Sequence, residues 1–128
     1  MHYKKHFTHK EASALIPNLK QKLIVVRNLS LKLKAIGFDV YKGKYRVGFH
    51  PSTQLEFPAD FVTIGEHISG IVSLGIEVKS IEQGLVDFPA IRSNGEEVYL
   101  CWKMDEDSIL FWHRIPDGII GRQHIDDF

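Results

Sequence analysis

Three residues in the second half of this 128-residue chain have the side chains of an acid–base or anion-binding site: Asp87, His113 and Arg122. A carboxylate beside an imidazole orients the ring as a general base. A guanidinium holds a carboxylate or phosphate through two parallel hydrogen bonds. Among them runs VYLCWKMDEDSILFWH, Val98 to His113, with the only cysteine, both tryptophans, a tyrosine and a histidine. Cys101 with His113 spells a thiolate–imidazole nucleophile. Each signal has a plainer reading. A free cysteine is usually a small buried hydrophobe. Asp87 and His113 can be a satisfied polar pair, and Arg122 a salt bridge to Asp87 that fastens the C-terminal tail.

The remaining motifs exclude more than they suggest. His2, His6 and His9 have ligand-like spacing, but the first two precede a helix cap, so metal there would be adventitious. The chain has no H-E-x-x-H and no paired cysteines, and no dedicated metal centre is expected. It has no phosphate loop and no dinucleotide fingerprint, so no cofactor is expected either.

The elements that must position these residues follow from periodicity. Thr8 and Glu11 form a capping box, with Phe7 and Ala12 placed for a hydrophobic staple. Ala12, Ile16, Leu19, Leu23, Val26, Ser30 and Leu33 then recur every three or four residues, the seam of one long helix. Pro17 predicts a kink near its start and Gly37 its end. A second helix is predicted from Pro58 to about Leu74, with Phe61, Ile64, Ile68 and Ile71 on its apolar side and Gly75 after it. The two helices form a hairpin. Between them, alternation around Lys42-Gly43-Lys44 predicts a small β-hairpin over 38–49, and His50-Pro51-Ser52-Thr53 a turn.

From Ile76 the period is that of strands. Ile76 to Ile81, Leu85 to Arg92, Val98 to Met104 and Ile109 to Ile115 read as an antiparallel meander, with an irregular tail from Pro116. Pro89 argues for an edge or a bulge. Asn94-Gly95 and Glu106-Asp107, taken as two-residue loops, fix a register. That register places Leu85, Asp87, Pro89, Ile91, Val98, Leu100, Trp102, Met104, Ile109, Phe111 and His113 on the helix-packed face. The other face receives Tyr99, Cys101, Lys103, Trp112 and Arg114, an aromatic and cationic mixture suited to a small anionic ligand or an interface. A one-residue slip in either turn exchanges the faces of a strand.

Composition is that of a globular chain, 44% hydrophobic and 25% charged, with no apolar run near the ~20 residues of a membrane helix. No signal peptide is visible and one cysteine forms no internal disulfide, so a cytoplasmic location is expected. Net charge is zero but divided. Residues 1–50 hold nine Lys and two Arg against Glu11 and Asp39, a net +9, and residues 51–128 carry −9. Complementary halves, within one chain or across a homo-oligomer, explain this more simply than a nucleic-acid-binding arm.

Three segments carry a family resemblance: FTHKEASALIP (Phe7–Pro17), GLVDFPAIRSNGEEVYLCWK (Gly84–Lys103) and FWHRIPDGIIGR (Phe111–Arg122). Together they resemble the bacterial family called domain of unknown function 2203. The family's longer, highly charged helical hairpin is missing where this chain has Gly37–Phe57. The resemblance implies a bacterial cytosolic protein and marks Asp87, Tyr99, Cys101, Trp102, Trp112, His113 and Arg122 by motif; it supplies no function.

The expectation is one α+β domain over 1–128, mainly helical in 1–75 and antiparallel β in 76–128. Its helical hairpin packs on a small meander. The favoured function is a cytosolic interaction or small-ligand-binding module, homo-oligomeric. The alternatives are a small enzyme acting on an anionic substrate through Asp87, His113 and Arg122, and weak nucleic-acid binding by the basic first helix.

Overall fold

The computed structural model describes residues 1–48 and 58–128. Helix α1 spans His9–Ala35, and its capping box is formed: the Thr8 hydroxyl accepts from the Glu11 amide, and the Glu11 carboxylate from the Thr8 amide. Such a cap contributes about 1 kcal/mol. The helix continues through Pro17 and buries Ala12, Leu19, Leu23, Val26, Ser30 and Leu33, the predicted seam with Ile16 at its margin. Helix α2, Ala59–Ser73, packs against α1 and buries Ile64 and Ile71. Pro58 stands just before its first residue, at the cap position. Between the helices, β1 (Phe38–Asp39) pairs with β2 (Lys44–Tyr45), with Phe38 opposite Tyr45. The rest of the predicted hairpin, from Phe49, and the His50–Thr53 turn lie outside the described residues.

The second half forms β3 (Glu77–Ser80), β4 (Leu85–Ile91), β5 (Glu97–Lys103), β6 (Phe111–Arg114) and β7 (Gln123–His124). They make one antiparallel sheet in sequence order, so the fold is α+β with a helical hairpin on a meander. The tail, expected to be irregular, supplies β7 by pairing Gln123 with Trp112 and His124 with Phe111. Pro89 sits inside β4, yet breaks no ladder bond to β5. Its carbonyl accepts from the Phe7 amide at 2.7 Å, and a residue's N–H and C=O face the same neighbour in an antiparallel sheet. The missing donor therefore faces the N-terminal segment, where β3 has already ended.

The register differs from the one expected, and this changes the site. Asn94-Gly95 does turn the chain, but within a three-residue loop. The Arg92 amide donates to the Glu96 carbonyl and the Gly95 amide to the Arg92 carbonyl, both at 2.8 Å, with Gly95 at φ 89°. A glycine in the left-handed region closes this type of hairpin. Ile91 therefore faces Glu97, and Asp87 faces Cys101 rather than Trp102. The next connection is offset in the same way. Glu106 folds back, its carboxylate accepting from the Lys103 amide at 2.8 Å and its amide donating to the Lys103 carbonyl, and Cys101 faces Phe111.

Each slip turns one strand over. Strand β5 keeps its expected inner residues Val98, Leu100 and Trp102, while β4 and β6 present Val86, Phe88, Ala90 and Trp112 to the core instead. These pack with Leu19, Leu23 and Ile71 of the helices. Asp87 and His113 do not lie on the helix-packed face, as expected, but on the outer face with Cys101.

Candidate functional site

The outer face of β4, β5 and β6 brings together Asp87, Cys101 and His113, at 2%, 0% and 2% exposure. Cys101 is directly opposite Asp87, and His113 is opposite Tyr99, one pleat away on the next strand. The expectation that Cys101 and His113 are held apart by the sheet is thus corrected. One ligand atom from each of the three residues lies within 4.8 Å of the others.

Hydrogen bonding fixes the histidine. Its Nδ1 is 2.9 Å from the Arg114 carbonyl oxygen, which can only accept, so Nδ1 carries a proton. Its Nε2 lies 3.1 Å from both Asp87 oxygens. Burial pulls the His113 pKa down, but the bonds to Asp87 and to the Arg114 carbonyl outweigh it and the net shift is upward. Cys101 is pushed up to about 12, by burial first and by the Asp87 charge second. Arg122 nearby pulls the other way but is outweighed, and the protonated thiol is a poor nucleophile.

Around this centre is a cleft of about 160 Å³, lined by Lys79, Leu85, Asp87, Tyr99, Cys101, His113, Ile115 and Ile119. A single water needs only roughly 10–15 Å³. The Tyr99 ring packs 5.2 Å from the His113 ring, and Lys79 lies 5.1 Å over the Tyr99 ring. Tyr99 and Tyr3 both donate to Glu77 at 2.6 Å, and their hydroxyls meet. Burial would raise the Glu77 pKa, but the two hydroxyls and Lys79 hold it below the ordinary carboxylate range. The N-terminal segment therefore straps the rim of the cleft. Glu97 anchors it further, accepting from the amides of His2 and Tyr3 and from the His6 ring.

A family model matches residues 5–125. The chain belongs to the uncharacterized conserved proteins of the DUF2203 family. No curated protein and no solved structure matches it.

The other residues singled out in this DUF2203 chain divide. Tyr99 lines the cleft and Lys103 lies on the outer face, opposite Leu85. Trp112, expected on the same face, is instead buried in the core by the one-residue slip of β6, with Arg92 stacked 4.3 Å over it. Arg114 is opposite Val98, where it donates to Glu96 at 3.0 Å. Arg122 does not meet Asp87. It pairs with Glu106 at 2.7 Å, reaches the Cys101 carbonyl at 3.3 Å and stacks 4.1 Å over Phe111, fastening the tail by another route. His9 donates to the Ile109 carbonyl, apart from His2 and His6. Lys79, Glu77 and Tyr3 were not singled out, and the one available signal was Lys79 two residues from the end of a short strand.

Proposed function

We propose that this protein binds a small anionic metabolite in the outer-face cleft, with Asp87 and His113 as its polar centre. One observation carries the reading: a buried carboxylate–imidazole pair opens to a cleft rather than to the core. Buried ionisable pairs seldom strengthen a fold relative to apolar packing, and in a cleft they are candidates for function. Lys79, half-exposed at the rim and paired there with Glu77 at 3.1 Å, is the cation that would turn to the anionic end of the ligand, and Leu85, Ile115 and Ile119 supply apolar walls. An enzymatic role for His113 as acid–base group requires Nε2 to leave Asp87 for the substrate, since Nδ1 is held by the Arg114 carbonyl; Arg122, engaged with Glu106, is left out.

The test is thermal shift against a panel of small carboxylic acids and phosphate esters. At least one should raise Tm in the wild type and fail to do so with Lys79→Ala and His113→Gln. A panel that moves neither the wild type nor the variants contradicts the reading.

In its setting we place the protein as a bacterial cytoplasmic homodimer. Supporting the dimer are the opposed +9 and −9 halves and the exposed Ile24, Val25 and Leu31 of α1 with Val62 and Val72 of α2. Apolar residues on a helical face favour association. Ultracentrifugation at micromolar concentration should give twice the 14.7 kDa chain mass, and a monomer contradicts it.

A further inference from the structure

Among the described residues, Asp87, Cys101 and His113 are the one group of three His, Cys, Asp or Glu donors placed to hold a single ion. His113 has committed its Nδ1 proton to the Arg114 carbonyl, so what stands between its Nε2 and the two Asp87 oxygens, each 3.1 Å away, is a positive centre: the second proton of an imidazolium or, in exchange for that proton, a metal ion.

Four features suit a metal ion. A backbone carbonyl accepting from the other ring nitrogen is the usual support of a metal-bound histidine. Ligands at about 2.0–2.3 Å around a tetrahedral ion lie roughly 3.3–3.5 Å apart, so the ring and the carboxylate, now at hydrogen-bond distance of 3.1 Å, need part only slightly to admit one. The third donor, Cys101 Sγ, lies within 4.8 Å of the other two and needs to close by at most about 1.5 Å to reach that spacing. The three donors also come from adjacent strands of one sheet, a rigid frame that holds a ligand set without a loop.

We propose that Asp87, Cys101 and His113 bind a divalent transition-metal ion, zinc in the first instance, whose fourth position faces the cleft. One thiolate, one imidazole and one carboxylate suit a borderline-soft ion and exclude magnesium and calcium, which take oxygen ligands. Thiolate and carboxylate together neutralise a dication. Three protein ligands with an open position are the pattern of zinc sites that handle a substrate rather than brace a fold. Lys79 at the cleft would then meet the far end of an anion coordinated to the ion. The proposal deepens the ligand-site reading and rests on the same cleft.

The probe is cobalt(II) alone, titrated anaerobically into reduced, chelator-stripped full-length protein. The expected result is one ion per chain, with a thiolate-to-cobalt charge-transfer band in the near ultraviolet, displaced by zinc. Cys101→Ser should remove that band. Asp87→Asn and His113→Gln should weaken binding by more than about tenfold, since even outer-shell partners contribute that much. The His2→Ala/His6→Ala double variant should keep the band. If a variant fails to fold, X-ray absorption of the zinc-loaded wild type decides, with one sulfur near 2.3 Å expected. Absence of the band in the wild type, a zinc shell of nitrogen and oxygen only, or uptake lost with His2 and His6 overturns the proposal. Cobalt uptake without any metabolite response upholds the metal site while the metabolite reading falls; a metabolite response without cobalt uptake does the reverse.

Discussion

The two faces of β4, β5 and β6 are made by alternate residues of the same three segments, yet they obey different rules. The inner face, with Val86, Phe88, Ala90, Leu100, Trp102 and Trp112, has apolar neighbours from both helices. The outer face buries Asp87, Cys101 and His113 to the same degree, with polar partners and a cleft beside them. Equal burial therefore does not mean equal purpose. Inner burial lowers the free energy of the fold directly. Outer burial withholds ionisable groups from water, which is worthwhile to a fold chiefly when those groups are used.

Substitutions should separate the faces. Trp102→Ala leaves a large void and strips the bond from its indole nitrogen to the Glu106 carbonyl, and urea unfolding should show a loss of ~3–5 kcal/mol. His113→Ala should lose a comparable ~3–5 kcal/mol, because Asp87 is left buried without its partner. The comparison sharpens with both outer partners removed. Asp87→Leu/His113→Leu should recover to within ~1 kcal/mol of the wild type or exceed it. No pair of inner truncations should behave so. A double variant as unstable as His113→Ala would break the distinction.

A smaller effect is expected at the sheet end. Gly84 is at φ 61°, and a Cβ there would meet the Met104 side chain at 2.5 Å. Gly84→Ala should destabilise by ~1–3 kcal/mol, and the same change made in a Met104→Ala background should cost less than it does in the wild type. The smallest effect concerns the strap. Burial would raise the Glu97 pKa, but its bonds to His6 and to the His2 and Tyr3 amides bring it to about 2. A depressed carboxylate adds stability above its ordinary value of 4.5 and loses it as pH falls toward about 2. The Tyr3 amide resonance should therefore move with a midpoint well below 4.5 in the wild type and lose that transition in Glu97→Gln.

What could be read from the sequence was whatever depended on local pattern. The Thr8–Glu11 box, the seam from Ala12 to Leu33, the stop at Gly37 and a small hairpin around Lys42-Gly43-Lys44 are all short-range. The faces of the meander were not, because they hang on loop length. Asn-Gly is as compatible with three loop residues as with two, and the difference turned β4 over. A signal was present: the shifted register groups Val86, Phe88 and Ala90 with Leu100 and Trp102 and leaves no charge inside. Arg122 was mispaired for a related reason, since its partner Glu106 lies in the loop whose shape the pattern left open. β7 was missed because two residues in a Gly-containing tail carry no period of their own.

The most direct test is a crystal structure grown with zinc and measured on both sides of the zinc absorption edge. The account predicts one strong anomalous peak on the outer face, bonded to Asp87, to Cys101 Sγ and to His113 Nε2, with the Arg114 carbonyl still accepting from Nδ1. A peak only beside His2 and His6, or a Cys101 side chain turned toward the helices, would contradict it.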